Sequence, residues 1–88
     1  MSPELETLDQ LLGGELWLKT VFSIYPDENS FVRGVLALLS SGDVCLQRSD
    51  GSDVPEYQWK QLFRDGSLLN DLEDFRLKIT EQGVRRIA

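Results

Sequence analysis

The stretch Phe31-Val32-Arg33-Gly34-Val35-Leu36-Ala37-Leu38-Leu39-Ser40-Ser41-Gly42-Asp43-Val44 decides how the chain is read. Val32, Val35, Leu36 and Leu39 recur at i, i+3, i+4 and i+7, the spacing that gathers apolar side chains onto one helix face. Asp27, Asn29 and Ser30 stand ahead as possible N-caps, since their short side chains accept from the unpaired N–H groups of a first turn. Ser40, Ser41 and Gly42 close the helix, glycine being the residue that most easily takes the left-handed conformation there. Val44 and Leu46 then alternate with Asp43, Cys45 and Gln47, the period of two of a half-buried strand. A helix over Asn29 to Ser41 therefore runs directly into a strand.

Toward the N-terminus, Ser2, Pro3 and Glu4 read as an N-cap, a proline in the first turn and a carboxylate at the positive end of the helix dipole. Leu5, Leu8, Leu11 and Leu12 supply one apolar stripe, which Gly13 and Gly14 terminate. From Glu15 to Tyr25 the rows Trp17, Val21, Ile24 and Leu18, Phe22, Tyr25 predict a second helix with Trp17 in the core, ended by Pro26. Toward the C-terminus, Ser49 to Asp53 form a polar turn around Asp50-Gly51. Pro55 opens a helix of one to two turns bearing Tyr57, Trp59, Leu62 and Phe63, interrupted at Asp65, Gly66 and Ser67. Leu68 to Asp74 matches neither period. Phe75, Leu77 and Ile79 alternate with Arg76 and Lys78 as the clearest strand, and Thr80 caps a last turn or two carrying Val84 and Ile87.

Eighty-eight residues suffice for one domain, 1–88, and a hydrophobic fraction of 41% with 27% charged is that of a globular chain. Nine basic residues against fifteen acidic give a net charge of −6. By segment the charge is −5 over residues 1–30, +1 over 31–48, −5 over 49–74 and +3 over 75–88. Such a balance repels phosphate backbones and anionic lipid, so nucleic-acid binding is disfavoured. Cys45 is the only cysteine, which forbids an internal disulfide and points to a reducing cytoplasm. No apolar run approaches a membrane span, and no secretory leader is expected.

The absence of histidine removes the imidazole base and the usual triads, and neither a Gly-x-x-x-x-Gly-Lys loop nor a Gly-x-Gly-x-x-Gly fingerprint is present. Cys45, on an alternating strand without an activating base, reads as a small structural residue. Asp50 with Asp53, and Asp71 with Glu73 and Asp74, read as solvated turns, because their spacing fits no calcium loop. The expectation is a protein that is not an enzyme and carries no metal or cofactor.

The run from Phe31 to Val44 resembles the third helix and second strand of winged-helix domains. Leu77-Lys78-Ile79-Thr80-Glu81-Gln82-Gly83 is similar to their last wing strand and its exit, and together these segments cover about half the chain. The resemblance implies an α+β fold, a small winged-helix-like domain with three helices, a small antiparallel sheet and a long wing insertion at about 49–74. An insertion of that length normally carries structure or function of its own. The family's groove-reading helix would be Asn29 to Ser41, whose polar face offers only one arginine, Arg33.

Two functional expectations follow. The preferred one is a non-enzymatic regulatory or accessory module that contacts a protein partner, or a second copy as a homodimer, through Tyr57, Trp59 and Lys60 of the insertion, since Tyr, Trp and Arg dominate interface hot spots. The alternative is a sequence-specific DNA-binding transcriptional regulator, with Asn29, Ser30 and Arg33 reading bases and Arg48, Lys60, Arg76 and Lys78 on phosphates. A DNA-mimicking inhibitor is a third reading, for which −6 is a modest charge. Arg85 and Arg86 suit the C-terminal end of the last helix through its dipole, or an acidic partner.

Overall fold

The computed structural model describes residues 2–87. Among them the chain forms α1 (Pro3–Leu11), β1 (Leu16–Trp17), α2 (Leu18–Phe22), α3 (Glu28–Ser41), β2 (Val44–Arg48), α4 (Glu56–Arg64), α5 (Ser67–Asn70), a 3₁₀ turn (Leu72–Asp74), β3 (Phe75–Ile79) and α6 (Glu81–Ile87). The fold is α+β, as expected, and among the described residues it has six α-helices and a three-stranded antiparallel sheet ordered β1-β3-β2. Within the 49–74 stretch the helix expected after Pro55 is α4, and the unassigned Leu68–Asp74 segment folds as most of α5 and the 3₁₀ turn.

Local chemistry sets the boundaries of the long helices. Ser2 caps α1 by accepting from the Leu5 N–H at 3.2 Å. Asp27 caps α3 by accepting from the Ser30 N–H at 2.7 Å, and Gly42 ends it with φ 82°. That hydrogen bond holds the Asp27 carboxyl below its ordinary range. The stabilisation is therefore complete above the unfolded carboxyl's titration and disappears as pH falls through the lowered folded value. Asp27→Ala is expected to lower the melting temperature at neutral pH, and the gap from the parent should close in strong acid. Thermal melts across the acid range test this, and a gap that persisted in strong acid would contradict it.

The predicted helix over Glu15 to Tyr25 is replaced by β1 and the short α2. Leu16 and Trp17 pair with Leu77 and Arg76 of β3, so their backbone groups serve the sheet and only Leu18–Phe22 is helical. Consequently Trp17 is not in the core: it is 43% exposed, with the Arg76 guanidinium 5.3 Å from its ring centroid. Leu18 and Val21 remain fully buried, and Ile24 is half-buried.

The core lies between the helices and one face of the sheet, with Leu8, Leu18, Val21, Phe31, Val35, Leu46, Leu68 and Leu77 almost wholly enclosed. Phe31 sits at its centre, 4.9 Å from the Phe22 ring and edge-on to Tyr25. Gly34 is required beneath that aromatic group, because a Cβ there would lie 2.7 Å from Tyr25 Cζ and 2.5 Å from its hydroxyl. After β2 the chain turns through Gly51 (φ 90°) and returns along the strand, with the Val54 N–H donating to Leu46 O and Gln47 Nε2 to Asp53 Oδ1. The outer edge of β2 is thus partly covered, which restrains pairing with another chain.

At one end of the sheet the α3–β2 and β3–α6 connections meet. The Thr80 hydroxyl donates to the Gly42 carbonyl at 2.5 Å, and the Thr80 N–H to the Asp43 carbonyl at 3.0 Å. Gly83 lies directly against the Asp43 backbone. The Asp43 side chain is buried, accepting from the Ser41 hydroxyl at 2.9 Å, from Gln82, and from Arg86 in an ion pair. Arg86 is therefore a ligand of a buried carboxylate as well as a residue of the last helical turn.

Candidate functional site

The nine residues of α4 separate into an inner and an outer face. Gln58, Leu62 and Phe63 are half-buried and Trp59 is buried, whereas Tyr57, Lys60, Gln61 and Arg64 are exposed. Tyr57, Lys60 and Arg64 follow one another at i, i+3 and i+7, so they share one outward stripe. Of the three partner-binding residues expected from sequence, Tyr57 is 73% exposed and Lys60 lies at the surface, but Trp59 is only 5% exposed. Trp59 is therefore a core residue: helical spacing turns it inward with Leu62 and Phe63 while its neighbours face out. Arg64 was not singled out from sequence, and its signal is its position four residues after Lys60.

Beside the stripe, α4 and α3 enclose an open groove of about 360 Å³ lined by Leu36, Ser40, Trp59, Lys60, Phe63 and Arg64. The insertion thereby lies over the flank of α3 that carries Leu36 and Ser40. The groove has an apolar floor and a cationic rim. Lys60 pairs with Glu56 at 3.4 Å, both side chains largely exposed, so that contact contributes little to stability.

The residues expected to meet DNA fall into separate settings. Asn29 and Arg33 are exposed and Ser30 half-buried on the first turns of α3, next to the carboxylates of Asp27 and Glu28. Arg48, at the end of β2, reaches Gln58 of α4 at 3.4 Å and lies 5.6 Å from the Phe75 ring centroid. Arg76 is engaged with Glu15 at 3.2 Å, and Lys78 is exposed on the outer sheet face. Cys45 is half-buried on that face, and burial, reinforced by the Asp53 carboxylate, pushes its thiol pKa up and away from the reactive thiolate.

A second cleft opens between α1 and α3, lined by Pro3, Glu4, Tyr25, Ser30, Arg33 and Gly34. Burial pushes the Tyr25 phenol up to about 12, so it stays protonated at neutral pH. Among the described residues no group of three or more Cys, Asp or Glu side chains is placed to hold a metal ion, and no helix is long and apolar enough to cross a membrane. No family model, curated protein or solved structure matches the chain.

Proposed function

We propose that the chain is a non-enzymatic, winged-helix-like regulatory or accessory module that docks an acidic, amphipathic polypeptide segment on α4. The observation that carries this reading is the exposed Tyr57, Lys60 and Arg64 stripe beside the apolar groove floor. Tyrosine and arginine are the side chains that interfaces use most as anchors, and the exposed Arg64, beside a Lys60 held only by a weak surface pair with Glu56, favours carboxylates. The winged-helix-like part of the reading rests on the resemblance carried by Phe31 to Val44 and Leu77 to Gly83. A reducing compartment such as the cytoplasm suits the lone, half-buried thiol of Cys45.

Panning a random peptide library against the full chain tests the proposal, with counter-selection on Tyr57→Ala and Arg64→Glu. The expected binders combine acidic and apolar residues and lose about tenfold or more affinity on either variant, the scale of a hot-spot truncation. Binders without acidic bias, or insensitive to both variants, would refute it. The DNA-binding alternative draws on the exposure of Asn29 and Arg33. A duplex affinity that falls steeply with salt and drops on Arg33→Ala would put that alternative in its place.

A further inference from the structure

We propose that the Asp65–Gly66 bond, at the joint between α4 and α5, is a self-modification site where Asp65 converts to isoaspartate by way of a cyclic imide. The triplet Asp-Gly-Ser occurs twice, at 50–52 and 65–67. In each, glycine leaves the main-chain nitrogen unshielded by a side chain, and that nitrogen can close a five-membered ring on the preceding carboxyl. The two triplets are chemically equivalent in an unfolded chain, so any difference between them comes from the fold.

The carboxyl groups are held alike. Asp50 Oδ1 accepts from the Ser52 N–H at 2.9 Å and its hydroxyl at 2.7 Å, and Asp65 Oδ1 accepts from the Ser67 N–H at 2.9 Å and its hydroxyl at 2.6 Å. The peptide planes are not. The Gly51 N–H donates to the Arg48 carbonyl at 2.9 Å, within a turn also held by the Arg48 N–H on the Ser52 carbonyl and the Ser49 N–H on the Asp74 carbonyl, both at 2.8 Å. Between α4 and α5, neither the Asp65 carbonyl nor the Gly66 N–H has a backbone partner among the described residues.

That freedom bears directly on ring closure. With Asp65 at ψ −2°, the Gly66 nitrogen eclipses the Asp65 nitrogen instead of Cβ, so the peptide plane must turn before attack. At 65–66 it turns without breaking a backbone hydrogen bond of its own, and Gly66, at φ 76°, absorbs the opposite rotation while the flanking helices stay in place. At 50–51 the same motion breaks the Gly51–Arg48 bond.

The chemistry balances within the chain and water. With the Asp65 carboxyl protonated, the Gly66 nitrogen bonds to Asp65 Cγ and gives up its proton, which leaves with the carboxyl hydroxyl as water. Water then opens the imide. Cleavage at Cγ restores aspartate, whereas cleavage at the Asp65 main-chain carbonyl routes the backbone through Cγ. The product has the same mass, and its main chain is one methylene longer beside Arg64.

Prolonged incubation of the full chain in mildly acidic buffer, then proteolysis and electron-transfer fragmentation of the peptides spanning both triplets, reads the site directly. Isoaspartate at residue 65 is expected to exceed that at residue 50 by about fivefold, the rate equivalent of one net backbone hydrogen bond. In concentrated guanidinium the two yields should become equal. Ser67→Ala, which removes the hydroxyl holding the carboxyl, should raise the yield at residue 65 further. Asp65→Glu, whose ring would need six members, should abolish it, and circular dichroism checks that both variants keep the fold. Equal yields in the folded chain, an excess at residue 50, an excess at residue 65 that persists in guanidinium, or a Ser67→Ala yield no higher than the parent's would overturn the proposal.

Discussion

Gly83→Ala is expected to lower the unfolding free energy by about 3 kcal/mol, the upper part of the usual range for overpacking a tight contact. The added Cβ would fall inside van der Waals distance of the Asp43 carbonyl oxygen and 2.8 Å from Ile79 Cγ1. The obstructing atom is backbone, held in place because the same carbonyl accepts from the Thr80 N–H at 3.0 Å. Relief therefore requires α6 to move away from the β2 end of the sheet. Helix propensity pulls the other way, since alanine gains up to about 1 kcal/mol over glycine in an open helix. The clash outweighs it at this position. Urea unfolding of the parent and variant measures the difference, and an unchanged or raised midpoint would show that α6 does not pack as described.

The second large effect belongs to the carboxylate beside that glycine. Arg86→Met should cost about 3 kcal/mol, the lower end of the range for removing one partner of a buried ion pair, because the Arg86 side chain is itself 54% exposed. The Asp43 side chain is only 2% exposed and cannot regain hydration once its cation is gone. Ser41 and Gln82 still donate to it but carry no charge. The asymmetry makes a sharper test: Arg86→Met with Asp43→Asn should recover part of the loss, because the group left inside is then neutral. Chemical denaturation of the parent, single and double variants reads both expectations. A double variant no more stable than the single would assign the loss to something other than the stranded charge.

What the sequence made legible was the local chemistry. The caps at Ser2 and Asp27, the left-handed Gly42, the periodic Val35 and Leu39 and the alternating Phe75, Leu77 and Ile79 all act within a few residues of themselves. What it hid was non-local. Leu16 and Trp17 are claimed by a strand nearly sixty residues away, and a two-residue strand has no period to detect. The pairing of Asp43 with Arg86 joins residues 43 positions apart, so the arginine reads from sequence only as a helix-end cation. The candidate docking surface was half visible: Tyr57 and Lys60 face outward, but extending helical spacing through Leu62 and Phe63 was needed to turn Trp59 inward and bring in Arg64.

The middle position of the sheet is held by β3, which is also the last strand among the described residues. During synthesis from the N-terminus, β1 therefore emerges with no strand to bond to and β2 with only the returning Ser52–Val54 segment, until residues 75–79 follow. Completion of the sheet thus waits on late, non-local pairing, the kind that leaves apolar surface open until it forms.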